Sequence, residues 1–322
     1  MMMNTQSSKT SLFPGLVLIL ALTSGCPLAH LPQTQAWIEK WSPKAVVKKV
    51  VPSGKSELKK RIILLPLADR IGRGADRSAQ LTEGLKSRLE TSPRFLIHDP
   101  PASIALPEGE LSPESGIVNH PELLKRAAYF GADVLITGVF NRVEITTKRK
   151  GIWPFRKYRR VYDVSSNIFV VDVHTKTFLL NSTKKEQVDF PYDEEEEEGG
   201  APQDKEAYLD DALKEALPEL LEEQAEAVVD RLLTEPWTGR ILSVETESMT
   251  INGGRAVGIE PGQAFMVYAK GETIRCAGGK ELEMFGNPVG EIKVTSVTED
   301  RATAVPKDEG AFLAGQVVRE LY

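Results

Sequence analysis

The sequence predicts an α/β sandwich domain, a mixed sheet with packed helices, followed by a small all-β barrel domain. Three observations predict it. Between residues 59 and 234, short continuous apolar runs alternate with leucines at helical spacing. At Glu235-Pro236-Trp237 the composition shifts to short strands punctuated by glycine. Ahead of both lies an apolar run, residues 12–22, that fits the ~7–15 residues of a signal h-region and falls short of the ~20 a spanning helix needs.

That run is preceded by a short polar segment with one positive charge, Lys9, and followed by Leu22-Thr23-Ser24-Gly25-Cys26. These five residues resemble the lipobox of bacterial lipoproteins. The resemblance implies a signal peptide over 1–25, a diacylated Cys26 thiol, and Cys26 as the first mature residue. Thr23 departs from the pattern, where leucine is usual. Residues 26–58 mix Pro, Gln, Ser, Gly and Lys without sustained periodicity and read as a tether. Trp37 and Trp41 within it are four apart, as on one helical face. They fit either a short helix packed on the following domain or a contact at the lipid interface, where Trp is favoured.

In the α/β region, Arg61-Ile62-Ile63-Leu64-Leu65-Pro66-Leu67 reads as a strand buried on both faces. A helix is expected near 76–92 from Leu81, Leu85 and Leu89, with Pro93 stopping it and 94–98 returning as a strand. Asn119-His120-Pro121-Glu122 looks like a helix start, and Gly131 a good stop. Residues 134–140, 161–173 and 177–188 are the next strands, the last two forming a pair that is central or covered by a helix. A long helix over 204–233 carries Pro218, which predicts a break or kink.

In the last region, 240–244, 248–251, 264–268, 291–297 and 301–305 are the candidate strands. Pro261-Gly262 suits a type II turn, with proline fixing φ and glycine taking positive φ. Asn252-Gly253 suits a type I′ hairpin turn.

Composition narrows function. The formal net charge of −6 disfavours nucleic acid as a partner. There are only two cysteines, so lipid on Cys26 leaves Cys276 without an intramolecular partner, and Cys276 reads as a packed thiol. The four histidines (30, 98, 120 and 174) are scattered, and no HExxH or Cys/His cluster implies a metal. Gly72-Arg73-Gly74 lacks the Lys-Ser/Thr of a phosphate loop, and Ser165-Ser166 has no His or Lys at informative spacing. No cofactor, no small-molecule substrate and no enzymatic activity are expected.

Two resemblances cover most of the chain. Residues 61–70, Leu81-Thr82-Glu83-Gly84-Leu85 and Arg94-Phe95-Leu96-Ile97-His98-Asp99 resemble the superfamily of the curli-secretion lipoprotein (CsgG-type), the amino-terminal domain of TolB and the middle domain of flagellar assembly protein T. Gly131-Ala132-Asp133-Val134-Leu135-Ile136-Thr137-Gly138 matches its Gly-Ala-Asp strand entry. Asp172-Val173-His174-Thr175-Lys176-Thr177 matches its Asp-x-x-Thr-Gly hairpin, but without the glycine. Gly239-Arg240-Ile241, Gly258-Ile259-Glu260-Pro261-Gly262 and 289–294 are similar to the terminal domain of flagellar assembly protein T. The implied division is 59–234 for the α/β domain and 235–322 for the barrel.

Curli-secretion lipoproteins oligomerise into an outer-membrane pore, to which each subunit gives two hairpins of alternating apolar and polar residues. Here the first such slot, 141–165, is basic and the second, after Val188, is acidic. A lipid-facing strand needs ~9–11 residues with an apolar face, and a midplane Arg or Lys costs ~2–4 kcal/mol, so neither segment qualifies. An accessory or assembly lipoprotein is the better expectation.

The strongest local anomaly is residues 148–160, where seven basic side chains flank Trp153, Phe155 and Tyr158. It reads as a solvated hairpin tip or as a docking surface for a partner protein, anionic lipid headgroups or the cell wall, carried by Arg149, Trp153, Phe155, Arg156, Tyr158 and Arg159. The acidic run 193–198 reads as a self-repelling loop that screens this segment. The expected role is a non-catalytic periplasmic scaffold of a cell-envelope machine, lipid-anchored at the outer membrane, with the flagellar basal body leading. The partners expected are the membrane through its lipid, envelope proteins and a second copy. A CsgG-type secretion component and a regulator of a cell-wall enzyme are the alternatives. Pro27 after Cys26 leaves the choice of membrane open.

Overall fold

The computed structural model describes residues 58–72, 75–100, 121–191, 203–275 and 281–321. The chain divides into Met1–Lys55 and Ser56–Tyr322. The expected signal peptide, Cys26, Trp37 and Trp41, the tether up to residue 57, the acidic run 193–198 and Cys276 all lie outside the described residues.

The second unit starts with strand β1 (Lys60–Leu64). Ile62 and Leu64 are buried toward one face, Ile63 and Leu65 toward the other. The period of two thus feeds two apolar cores at once. Pro66 lacks an N–H, and a two-residue strand β2 (Ala68–Asp69) resumes beyond it. Helix α1 (Ala75–Leu89) follows, with Leu81, Leu85 and Leu89 all buried, and then β3 (Phe95–His98) beside β1 in parallel. Helix α2 (Pro121–Tyr129) stops at Gly131, whose φ of 74° is left-handed.

Strand β4 (Val134–Phe140) is buried along its whole length. Three residues on, β5 (Glu144–Lys150) continues its direction, and both pair antiparallel with the long β6 (Lys157–Asp172). Strand β7 (Phe178–Pro191) lies along the other edge of β6. Among the described residues these seven strands form one mixed sheet. Helix α3 (Gln203–Leu233) packs with α1 on one face, over Tyr162, Val164, Ile168 and Val170. Helix α2 covers Leu135, Val171 and Val173 on the other.

Of the break or kink expected at Pro218, the break is not seen: helix α3 runs through it. A proline inside a helix costs about 3 kcal/mol or more. Against that, Ala212, Leu213 and Ala216 are buried before it and Leu220, Leu221, Val228 and Leu232 after it. Each large apolar side chain contributes about 1.5–3 kcal/mol on burial, so packing outweighs the lost hydrogen bond. Gln224 pins the same helix to the sheet, its Nε2 donating to Ser166 Oγ at 2.9 Å. Ser166, noted in the sequence as a serine without a base, is thus a buried packing partner.

The second sheet comprises β8 (Thr238–Val244), β9 (Met249–Ile251), β10 (Ala264–Arg275), β11 (Glu281–Val297), β12 (Ala302–Pro306) and β13 (Val317–Glu320). They close in the order β10-β11-β12-β9-β8-β13 around Trp237, Ile251, Phe265, Val267, Ile292 and Val318. Pro261-Gly262 turns as expected: Gly262 has φ of 93° and Gln263 N–H donates to Glu260 O at 3.3 Å. Asn252-Gly253 does not make a hairpin. Asn252 is buried, its Oδ1 accepts from Arg240 N–H at 2.7 Å, and the chain passes into a 3-10 turn, Arg255–Val257. The type I′ pattern fails because the asparagine side chain bonds a strand 12 residues away instead of its own turn.

Candidate functional site

Strand β5, unlisted among the sequence-derived strands, converts the basic-aromatic segment into the end of a ribbon. Residues 144–149 are exposed, because α3 covers the ribbon only as far as the cluster Tyr162, Phe190 and Tyr208. Beyond that cluster β5 and β6 run on uncovered to a tip at 151–156.

The ribbon is clamped behind its tip. Asp189 on β7 receives Lys150 Nζ from β5 at 2.8 Å and the Arg159 guanidinium from β6. Lys150 first, then Arg159, hold the Asp189 carboxyl below the usual range against the opposing effect of burial. Further in, burial pushes Asp163 up, but hydrogen bonds from Gln187 and Lys185 outweigh it and leave that carboxyl lowered too. Two cross-strand carboxylates therefore fix β5, β6 and β7 in register.

At the tip, Gly151 has φ of 115° and Phe155 N–H donates to Ile152 O at 2.7 Å, closing a tight turn that holds a cis Trp153–Pro154 bond. The side chains of Ile152, Trp153 and Phe155 are 84, 78 and 82 % exposed. The six expected docking residues separate into three groups. Trp153, Phe155 and Arg156 stand at the exposed apex. Arg149 and Tyr158 face each other in register, the guanidinium 4.4 Å from the ring centroid. Arg159 is turned to Asp189 and serves the clamp. Strand β5 also lacks an apolar side, since Glu144, Thr146, Lys148 and Lys150 alternate with Ile145, Thr147 and Arg149.

Sequence reasoning missed a second cluster, where the two sheets meet. Lys60 Nζ donates to Pro236 O at 2.6 Å, and the Arg61 guanidinium to Asn252 O. Asp133 Oδ2 accepts Arg61 N–H at 2.8 Å, and its Oδ1 faces His174 Nε2 at 3.5 Å. Arg240 Nε donates to His174 Nδ1 at 3.1 Å. A guanidinium can only donate, so Nδ1 is the acceptor and the ring proton sits on Nε2, toward Asp133. Asp172 Oδ1 accepts from His174 and Thr175 N–H, an Asx turn.

Lys176, at the place of the missing glycine, has φ of 60°, and its Nζ reaches Glu283 on the barrel at 2.7 Å. Burial raises the Glu283 carboxyl, but Lys176 and Arg240 more than offset it. The Gly-Ala-Asp and Asp-x-x-Thr segments are therefore parts of a joint between the sheets. The only local signal for it was the motif spacing, because the partners lie up to 191 residues apart.

Among the described residues, no group of three or more His, Cys, Asp or Glu side chains is placed to hold a metal, and no helix is long and apolar enough to cross a membrane.

No protein-family model and no curated protein matches the chain. Solved structures do. A hypothetical protein of Chlamydia trachomatis is similar at 15 % identity and a TM-score of 0.33, over 54 % of this chain and 95 % of that one. A lipoprotein of Neisseria meningitidis is similar at 14 % identity and 0.26, over 55 % of this chain and 99 % of that one. TolB of Acinetobacter baumannii is similar at 13 % identity and 0.27, over 80 % of this chain and half of that one.

Proposed function

We propose that the chain is a non-catalytic, lipid-anchored periplasmic scaffold of a cell-envelope machine, held at the outer membrane through Cys26. The observation that carries the docking part of this reading is the clamped ribbon whose apex leaves Ile152, Trp153 and Phe155 uncovered. A large exposed apolar apex on a firmly held base is an unusual feature to leave in water unless it meets something. The anchoring part rests on the run 12–22 and the Ser24-Gly25-Cys26 step. The carboxy-terminal resemblance makes the flagellar basal body the machine of choice.

Palmitate labelling of growing cells tests the anchor. Wild-type chain takes up label and floats with outer-membrane fractions, and Cys26→Ser does neither. An unlabelled wild-type chain refutes the anchor. Loss of motility in a deletion strain, restored by the wild-type gene, supports the flagellar assignment. Normal motility refutes it.

A further inference from the structure

We propose that the 151–156 tip is a membrane-interface anchor, seating Ile152, Trp153 and Phe155 at the acyl boundary while its basic collar binds anionic lipid headgroups. The proposal deepens the docking reading above and rests on it. Three features favour a lipid surface over a protein.

The first is shape. The apex is a single tight turn, closed by the Phe155-to-Ile152 hydrogen bond, and its three large apolar side chains are almost wholly exposed. A bilayer interface accepts such a wedge without shape complementarity, and Trp is the side chain it favours.

The second is charge. Lys148, Arg149, Arg156 and Lys157 are all exposed immediately behind the apex, in a chain whose overall charge is −6. Long basic side chains at that depth reach the phosphate layer while their stems stay in the apolar zone. Asp189 on β7, the carboxylate of the clamp, is already engaged by Lys150 and Arg159.

The third is access. The segment 26–58 can extend to at most roughly 110 Å, so an acyl group on Cys26 would leave the ribbon free to meet the same bilayer. A second exposed aromatic pair, Tyr129 and Phe130, lies beyond the far end of β6. That strand is 16 residues, roughly 50 Å, long, so the pair would stay in water and supplies an internal control.

The test uses the full chain purified from the envelope fraction, with Cys276→Ser, and a nitroxide on either Ile152→Cys or Tyr129→Cys. It is mixed with vesicles of phosphatidylethanolamine and phosphatidylglycerol, or of phosphatidylcholine alone. Collision with oxygen and with a water-soluble nickel chelate reports depth. The expected result is a several-fold rise in the oxygen-to-nickel ratio at 152 on anionic vesicles, a smaller rise on neutral ones, and none at 129. Trp153→Ser with Phe155→Ser should abolish vesicle protection of a label at 152, and Arg156→Gln with Lys157→Gln should remove the preference for anionic vesicles.

A label at 152 that stays as open to nickel as the one at 129 overturns the proposal. So does a label immobilised by an envelope protein fraction but never by vesicles, which would assign the tip to a protein. Equal insertion into both vesicle types overturns the contact with anionic headgroups. Palmitate content of the same preparation separates the two levels. Acylated protein with a water-exposed tip refutes this proposal alone, whereas protein without palmitate refutes the anchor, and the tip is then read on a Cys26→Ser chain labelled at 152.

Discussion

Lys60 is the sharpest place to test the joint between the sheets. Its side chain is buried, and its Nζ donates to Pro236 O at 2.6 Å. Burial is the largest influence on it and pulls its pKa from 10.5 to about 8, although Asp133, Asp172 and Glu235 act in the opposite direction. The folded value therefore lies below the unfolded one. Between pH 8 and 10.5 the unfolded chain binds a proton that the folded chain has released, so stability rises with pH across that window. Below pH 8 both states are charged, and the folded state carries the full cost of the buried ammonium.

A fall from 10.5 to about 8 corresponds to about 3 kcal/mol, most of which accrues between pH 7 and pH 10. Lys60→Met removes this contribution. Urea unfolding of both chains at pH 7, 8.5 and 10 should show the wild type gaining about 2–3 kcal/mol relative to the variant as pH rises. Curves that stay parallel, within about 0.5 kcal/mol, would refute the claim that this ammonium is desolvated at the joint.

Three further outcomes are expected. Gly254→Ala would place a Cβ at 2.4 Å from Glu299 O, 2.5 Å from Arg301 N and 2.6 Å from Thr298 O, all backbone atoms. A loss of about 1–3 kcal/mol follows from such overpacking, measurable as a drop in Tm, and an unchanged Tm counts against the packing. Lys176→Ala loses the Glu283 pair while keeping a side chain at positive φ, whereas Lys176→Gly loses the pair and relieves the backbone. The alanine variant should be about 1 kcal/mol less stable than the glycine variant, and equal urea midpoints would refute the left-handed strain. Trp153→Ser with Phe155→Ser should shift unfolding by no more than about 0.5 kcal/mol, since neither ring packs on a core. A larger loss would mean that the apex belongs to the fold.

Much of the α/β layering was legible in the chain because it depends on near neighbours. Leucines four apart at 81, 85 and 89 marked α1, and the apolar run of β1 marked a strand buried on both faces. Gly131 and Pro261-Gly262 acted through conformations that only their own backbones dictate. The signals failed where distant partners decided. Strand β5 carries Glu, Lys and Arg on an exposed ladder, so no periodicity announced it, and only its pairing with β6 made it a strand. Strand β13 likewise exists through its pairing with β8 and β10. Asn252-Gly253 satisfied a local turn rule that a bond to Arg240 overrode.

For the candidate site the division is the same. The residue types at 148–160 by themselves announced an apolar apex in a basic setting, because composition needs no partner to be read. Which of those side chains face out was decided by Asp189 on β7, which draws in Lys150 and Arg159. Beyond the motif spacing, the joint of buried Asp133 and His174 with half-buried Arg240 and Glu283 was a matter of tertiary structure. Its members come from different elements, and a buried charge finds its partner only when the elements carrying both are packed together.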